Sequence, residues 1–320
     1  MARSLVIINP SASRLKDGQD RTALGEDLRA VLTRRDGVPP DVIETSTQEQ
    51  TRPAVEAALG AGATAVIGVG GDGTLREIAA ALAGTGVPMG VVPAGTGNLL
   101  GGILGIPGSV SPAVAALETA RTRTIDLGAV TLRLVREPET GTDSAELREE
   151  QATFAIGCGA GFDARVVATT PGGLKQRIGR AAYFAQAIRL AARIDAVPHR
   201  LTVDGETLEV DASIPLVTNM GQLIPGAVGP RLAIEPDDGL LDLIVVGARG
   251  PIAGLRGLAD QLLRTSFGGG SGSDSLRLRC RAVSIEAIRP EPLQVDGDHV
   301  GWGSLEARVM PGALEVLVPR

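Results

Sequence analysis

In the first third of the chain, short apolar runs alternate with segments whose apolar residues recur every three or four positions. The runs Leu5–Ile8, Val42–Glu44, Ala65–Val69 and Met89–Val92 predict strands. Between them, Arg21–Arg34 carries Leu24, Leu28, Val31 and Leu32 on one side and predicts an amphipathic helix. Pro53–Gly60, Leu75–Leu82 and Pro112–Arg121 complete the predicted helices, with Pro53 placed in a first turn, where its missing N–H costs nothing. Wholly apolar strands separated by helices imply a parallel sheet covered on both faces.

After Ile125-Asp126-Leu127-Gly128 the pattern changes. Val130–Val135, Thr153–Ile156, Arg200–Val203, Thr207–Val210, Ser213–Thr218, Leu241–Val246, Leu276–Arg281 and Val283–Ile288 read as strands, and Asp204-Gly205 as a hairpin turn. This region is predicted to be mostly antiparallel β, interrupted by one long helix near Leu174–Arg193. That helix spaces Leu174, Ile178, Ala181, Ala185, Ile188 and Ala192 at helical steps, with Lys175, Arg177, Arg180, Arg189 and Arg193 on other faces. Such a helix either lies on an anionic membrane or packs on a core with a solvated basic face. The acidic stretch Glu137–Gln151 and the run Gly268–Ser273 read as mobile insertions.

Composition narrows the picture. Of 320 residues, 43% are hydrophobic but only 2% aromatic, so the core must rest on Val, Leu, Ile and Ala. A net charge of −6 argues against a dedicated nucleic-acid binder, which needs a basic footprint. Cys158 and Cys280 fit no metal spacing, and His199 and His299 are too few for a histidine site; a reduced, cytoplasmic chain is the expectation. The start, Met1-Ala2-Arg3-Ser4 leading into Leu5–Ile8, has too short an apolar run for a signal peptide. Ile78–Leu117 has no charged residue, but Pro88, Pro93, Pro107 and Pro112 break it, so it reads as buried core rather than a membrane span.

The chemistry sits in the loops after three of the strands. Val69-Gly70-Gly71-Asp72-Gly73-Thr74 joins a strand to a helix. A glycine turn opening a helix aims backbone N–H groups and the positive end of the helix dipole at one point, where a phosphate can sit. Asp72 would repel a bare phosphate but suits one carrying Mg²⁺. It is neither a Walker loop nor a Rossmann fingerprint. Pro93-Ala94-Gly95-Thr96-Gly97-Asn98 follows the next strand, with Asn98 as a helix N-cap in the plain structural alternative. Asn9-Pro10-Ser11-Ala12-Ser13 follows the first strand. In parallel sheets, ligands bind at these strand ends.

Together these residues resemble the catalytic domain of diacylglycerol kinases, in the bacterial lipid kinase family that also includes sphingosine kinases. The matches are Asn9-Pro10-x-x-Ser13, Gly70–Thr74 and Pro93-x-Gly95-Thr96-Gly97-Asn98, followed by Asp126, Pro236-Asp237-Asp238-Gly239-Leu240 and Val295-Asp296-Gly297-Asp298. Three positions depart from the family: Ser13 replaces a glycine, Leu99 stands where Asp is frequent, and Asp298 replaces a glutamate.

The resemblance implies an α/β plus β fold: an N-terminal three-layer α/β/α domain, residues 1–127 joined by a returning strand at 313–320, and a C-terminal antiparallel β-sandwich-like domain at 128–312. It implies ATP and Mg²⁺ as cofactors and transfer of the γ-phosphoryl group to a lipid hydroxyl, with diacylglycerol the favoured acceptor. ATP contacts would come from Asn9, Pro10, Ser11, Ala12, Ser13, Thr45, Gly71, Asp72, Gly73, Thr74, Leu75, Arg76, Glu77, Thr96 and Asn98. Asp72 would help hold the catalytic Mg²⁺; the carbonyls of Glu235 and Leu240 with the Asp238 carboxylate would form a structural Mg²⁺ site. Asp296 and Asp298 are the candidate proton acceptors, although Asp-Gly is also a strong hairpin signal. The expected partner is a lipid presented at a membrane surface, with the protein peripheral to the inner face; a homodimer is compatible with this. Other lipid alcohols (sphingoid bases, ceramide), an NAD kinase and a non-catalytic lipid- or nucleotide-binding regulator are the competing readings.

Overall fold

The computed structural model describes residues 3–15, 18–135, 147–161, 196–221, 234–247 and 275–320. The predicted helix at 174–193, the 268–273 run and residues 137–146 lie outside these. The described chain divides into two compact units, Met1–Ile125 with Gly312–Arg320, and Asp126–Pro311.

The first unit is an α/β domain. Its strands are β1 (Leu5–Ile8), β2 (Asp41–Glu44), β3 (Val66–Gly70) and β4 (Met89–Pro93), joined by the end of β15 (Asp298–Val318). They run parallel in the order β2-β1-β3-β4-β15, with Val6 opposite Val42 and Ile67, Val69 opposite Val92, and Val316 opposite Met89. β1, β3 and β4 are buried along their whole length, as strands covered on both faces must be.

The helices are α1 (Gly18–Asp36), α2 (Gln48–Gly60), α3 (Asp72–Leu82), α4 (Leu99–Ile103) and α5 (Val110–Leu117). Two glycines show the layering. A Cβ on Gly68 would meet Ile78 and Leu75 of α3 at 2.7 and 2.9 Å. A Cβ on Gly90 would meet Ile67 at 2.5 Å and Leu117 of α5 at 3.1 Å. Gly68 and Ile67 are adjacent and point to opposite faces, so α3 and α5 cover opposite sides of the sheet. α1 packs with α5 and α2 with α3, which completes three layers. The predicted α1 face is the buried one: Leu24, Leu28, Val31 and Leu32.

Three details differ from the sequence expectation. α2 starts after Thr47, so Pro53 lies inside the helix rather than in its first turn; the Thr47 carbonyl accepts the Gln50 and Thr51 N–H groups and begins the helix early. α5 ends at Leu117, and Arg121 already belongs to a strand, β5 (Arg121–Val135). The acidic segment is not wholly an insertion: residues 148–151 pair with β5 as part of β6 (Arg148–Phe154).

The second unit is antiparallel β, sandwich-like. Beyond β6 it holds β7 (Gly157–Ala160), β8 (Val197–Val203), β9 (Glu206–Ala212), β10 (Ile214–Thr218), β11 (Leu241–Val246), β12 (Ser275–Cys280), β13 (Ala282–Ala287) and β14 (Glu291–Val295). One run of neighbours is β12-β11-β10-β7-β14-β15; another is β15-β13-β8-β9. Phe154, Leu201, Leu243, Ile285, Leu293 and Leu305 lie in one continuous apolar core. Two hairpins turn on Asp-Gly pairs, Asp204-Gly205 (φ 48° and 92°) and Asp296-Gly297 (φ 48° and 81°). Positive φ at both central residues gives the turn whose twist matches the strands it joins.

Gly128 of β5 sits opposite Phe154 of β6, and a Cβ there would lie 2.0 Å from the Phe154 Cζ. The ring folds over the bare backbone of its neighbour. Gly128→Ala should therefore lower the unfolding free energy by about 1–3 kcal/mol through overpacking. In that background Phe154→Leu should cost less than in the wild type, with a coupling of at least about 0.5 kcal/mol. Urea unfolding followed by Trp302 fluorescence checks this; additive effects would refute the contact.

Candidate active site

The loops after β1, β3 and β4 are knitted together by backbone and asparagine hydrogen bonds. Asn9 donates its N–H to the Val69 carbonyl (2.9 Å), and its Oδ1 accepts the Ser11 N–H (2.9 Å), shaping an Asx turn. Its Nδ2 donates to Thr74 Oγ1 at 2.8 Å, which ties the first loop to the first turn of α3. Thr74 in turn explains Gly70, whose Cβ would lie 2.9 Å from that of Thr74. The Ala94 N–H reaches the Gly70 carbonyl (2.8 Å) and the Arg14 N–H reaches the Ala94 carbonyl (3.1 Å). Thr96 Oγ1 donates to Ser13 Oγ at 3.2 Å.

At the centre, two glycine backbones touch. A Cβ on Gly95 would lie 2.5 Å from Gly71 Cα, and one on Gly97 would lie 2.5 Å from Asp72 Oδ2. A side chain at Gly95 would press on fixed backbone, and one at Gly97 would push the Asp72 carboxylate aside. Asn98 holds the turn closed: its Oδ1 accepts the Gly95 N–H (2.9 Å) and its Nδ2 donates to the Gly95 carbonyl (2.8 Å). Asn98 has φ 53°, a left-handed conformation that asparagine tolerates. It precedes α4 but makes no side-chain cap there, contrary to the N-cap expectation, because its amide is committed to Gly95. Asp72 Oδ1 accepts the Leu100 N–H instead, at 3.3 Å.

Asp72, Gly73 and Thr74 form the first turn of α3, with Gly71 as its cap. The dipole's positive end thus lies where Gly71 and Gly95 meet, and the half-buried Asp72 carboxylate is favourably placed against it. Other expected ATP contacts are placed variously. Thr45 is buried beside β1, its N–H on the Ile8 carbonyl (3.0 Å) and its hydroxyl with Thr51 (2.9 Å). Ser11 is exposed, Pro10 and Ser13 are half-buried and Ala12 is buried. Arg76 and Glu77 pair at 3.7 Å along α3. Leu75 faces the core against Gly68, and its N–H is used by the Gly71 carbonyl. A single carboxylate sharing Mg²⁺ with substrate phosphates is a common way to hold that ion, and Asp72 fits that role. Among the described residues, no group of three or more His, Cys, Asp and Glu gathers as a protein-only metal cage.

In the second unit Asp296 is tied directly, and Asp126 through Asn219, to one bend, Ala155–Gly157, between β6 and β7. The Asp296 carboxylate accepts the N–H groups of Ala155 (3.0 Å), Ile156 (2.9 Å) and Gly157 (2.9 Å). The Asn219 side chain donates to the Asp126 carbonyl (2.8 Å) and to the Ala155 carbonyl (3.4 Å). The Thr218 hydroxyl donates to the Ile156 carbonyl at 2.9 Å. Asp126 in turn holds the 236–239 turn: its N–H donates to the Pro236 carbonyl (2.6 Å) and its Oδ2 accepts the Gly239 N–H (2.7 Å). Asp298, half-buried, opens β15 opposite Val295. Thus Asp296 is anchored to backbone, and Asp298 is the carboxylate that follows it across the turn. Asn219, Thr218 and the bend were not anticipated; the only sequence signal was a polar pair closing an apolar strand.

The implied structural metal site reads differently. Glu235 is exposed and Leu240 half-buried, with the Leu240 N–H on Asp238 Oδ1 (3.0 Å). Asp238 Oδ2 accepts a hydrogen bond from Arg279. Close by, Arg277 donates to Asp242 Oδ1 at 2.5 Å; burial pushes the Asp242 carboxyl above its ordinary value, with Arg277 pulling against it. Burial also pushes the Cys280 thiol up to about 12, so no thiolate is available at neutral pH; Cys158 is buried as well.

Residues 3–130 match the diacylglycerol kinase catalytic domain family, and residues 157–318 match the YegS C-terminal NAD kinase beta sandwich-like domain family. A "Probable lipid kinase YegS-like" of Pseudomonas aeruginosa (strain UCBPP-PA14) is 32% identical over 93% of this chain and 92% of its own. That of Pseudomonas fluorescens is 31% identical over 93% of each chain. The crystal structure of a "putative diacylglycerol kinase" from Bacillus anthracis str. Sterne superimposes with a TM-score of 0.74, at 20% identity, covering 99% of this chain and 95% of that one. This last likeness shows the fold.

Removing the Asp296 carboxylate leaves backbone donors of the bend without their acceptor. Asp296→Ala should lower stability by about 2–3 kcal/mol, and Asp298→Asn by distinctly less. Chemical denaturation of both variants checks this; equal losses would contradict the anchoring role of Asp296.

Proposed function

The chain belongs to the lipid kinase family that joins a diacylglycerol kinase catalytic domain to a YegS-type beta sandwich-like domain, and from this we propose that it transfers the γ-phosphoryl group of ATP to a lipid hydroxyl. Diacylglycerol is the favoured acceptor and phosphatidic acid the product. The observation that carries the reading is the contact of Gly71 with Gly95 at the first turn of α3, which leaves backbone rather than side chains facing the ligand.

Phosphoryl transfer asks the protein mainly for positioning and charge neutralisation. In the proposed reaction Asn9–Ser13, Gly71–Thr74 and Thr96 cradle the phosphates, and Asp72 would hold the Mg²⁺ that accompanies them. When bound, Mg²⁺ supplies positive charge against the phosphate oxygens. The lipid oxygen forms the new bond to the γ-phosphorus, the bond to the β–γ bridging oxygen breaks, and ADP leaves. Asp298, by its match to the family's acidic motif, takes the hydroxyl proton. Its side chain is one methylene shorter than the glutamate of that motif. Asp296 positions this hairpin through its three backbone hydrogen bonds. A substrate of this class lies in a bilayer, so the protein works peripherally, at the inner face of the membrane. Among the described residues no helix is long and apolar enough to cross it.

Purified protein with radiolabelled ATP and Mg²⁺ should label phosphatidic acid in mixed micelles of diacylglycerol. Parallel reactions with sphingosine, ceramide and NAD separate the competing acceptors. Asp72→Asn should lower kcat by at least about 100-fold. Label in NAD alone would replace the lipid reading, and absence of transfer to any lipid would remove it.

A further inference from the structure

The family resemblance implies a structural Mg²⁺ held by the Glu235 and Leu240 carbonyls and the Asp238 carboxylate, yet the one charged donor of that set is already engaged. Asp238 Oδ1 accepts the Leu240 N–H at 3.0 Å, and Oδ2 accepts from the Arg279 guanidinium. The β11–β12 register places Arg279 opposite Asp242, and Arg277 reaches the same Asp242 at 2.5 Å. The strand alternates Leu276-Arg277-Leu278-Arg279, so both arginines leave the sheet on one face, toward the turn that precedes β11. Asp238 and Asp242 are thereby matched by two guanidinium groups. A divalent ion at Asp238 would have to displace Arg279 and sit beside two fixed positive charges.

The backbone of the turn also has its own support. Asp126 clamps it at both ends, through the Pro236 carbonyl and the Gly239 N–H, and Gly239 supplies the left-handed corner at φ 75°.

We propose that Arg279, backed by Arg277, takes the place of the structural cation at the Asp238 turn, so that this segment is held without a divalent metal. An arginine suits the task because its planar fork can hold a carboxylate while remaining charged at any physiological pH. The consequence is that the two magnesium roles implied for the family separate in this chain, and only the one that accompanies the nucleotide remains.

The test is thermal melting without ATP or lipid, followed by Trp302 fluorescence, in EDTA and in 10 mM MgCl₂. Its outcome is therefore independent of the kinase assay. The wild type should melt within about 1 °C in the two buffers, since no site at this turn is linked to the ion. Arg279→Gln should melt lower in EDTA by about 2–5 °C and regain at least half of that in MgCl₂, because the vacated carboxylate can then take the ion. Arg279→Lys, which keeps the charge, should show little magnesium response. A wild-type midpoint that falls in EDTA, with the dependence abolished by Asp238→Asn, would overturn the proposal. So would an Arg279→Gln protein that melts like the wild type or gains nothing from magnesium.

Discussion

Two glycine backbones in contact are the constraint on which the proposed nucleotide site depends. Gly95 approaches Gly71 so closely that a Cβ would fall 2.5 Å from the facing Cα. That approach brings the loops after β3 and β4 together at the first turn of α3, and it is possible only because β3 and β4 are parallel neighbours whose carboxyl ends lie side by side. Asn9 and Asn98 then fix the outer walls, one to Thr74 and the other to Gly95. The result is a surface of backbone groups at the start of α3, with a helix dipole behind it and one carboxylate beside it. Anion recognition by amides needs such fixed geometry, because a flexible loop would lose the gain to ordering entropy.

The second unit uses carboxylates in an opposite way, as acceptors for its own backbone. Asp296 gathers the N–H groups of Ala155–Gly157, Asp126 gathers that of Gly239, and Asp204 gathers those of Arg281 and Ala282. The two Asp-Gly hairpins share this device: the residue that adopts positive φ also ties the turn to a neighbouring segment. Charge-assisted bonds of this kind are stronger than neutral ones and set the register of the strands they join. Asp298 stands two residues from the anchor, so its position inherits the rigidity of the hairpin. This division, one aspartate for placement and the next for chemistry, gives the acidic motif its meaning in the proposed reaction.

Much of the first unit was legible because its signals are local. Unbroken apolar strands, a helical face on α1 and glycine turns between them can each be read within a dozen residues. What stayed hidden depends on contacts far apart in the chain. Nothing near Gly128 in sequence shows why it is glycine; the reason is the Phe154 ring laid over it. Asn98 reads as an N-cap, yet its amide is claimed by Gly95, and Asp72, distant in sequence, supplies the hydrogen bond to Leu100 N–H. Pro53 reads as a first-turn residue, yet the helix already starts after Thr47, whose Thr-x-x-Gln spacing suits an N-cap although its hydroxyl makes no cap bond. Asn219 and the Ala155–Gly157 bend carry no motif at all, since one buried amide bonding to backbone has no spacing to betray it. The arginines at 277 and 279 were visible as an alternating strand, but their pairing with Asp242 and Asp238 follows only from the register of β11 with β12.

The account is tested most directly by the affinity of the protein for Mg²⁺-ATP when the glycine contact is broken. Isothermal titration of wild type and Gly95→Ala, with far-UV circular dichroism as the check on folding, isolates that contact. The predicted result is an unchanged spectrum and binding weaker by at least about tenfold, a loss of about 1.4 kcal/mol. A folded Gly95→Ala protein that binds Mg²⁺-ATP as tightly as the wild type would contradict the claim that these backbones form the phosphate site.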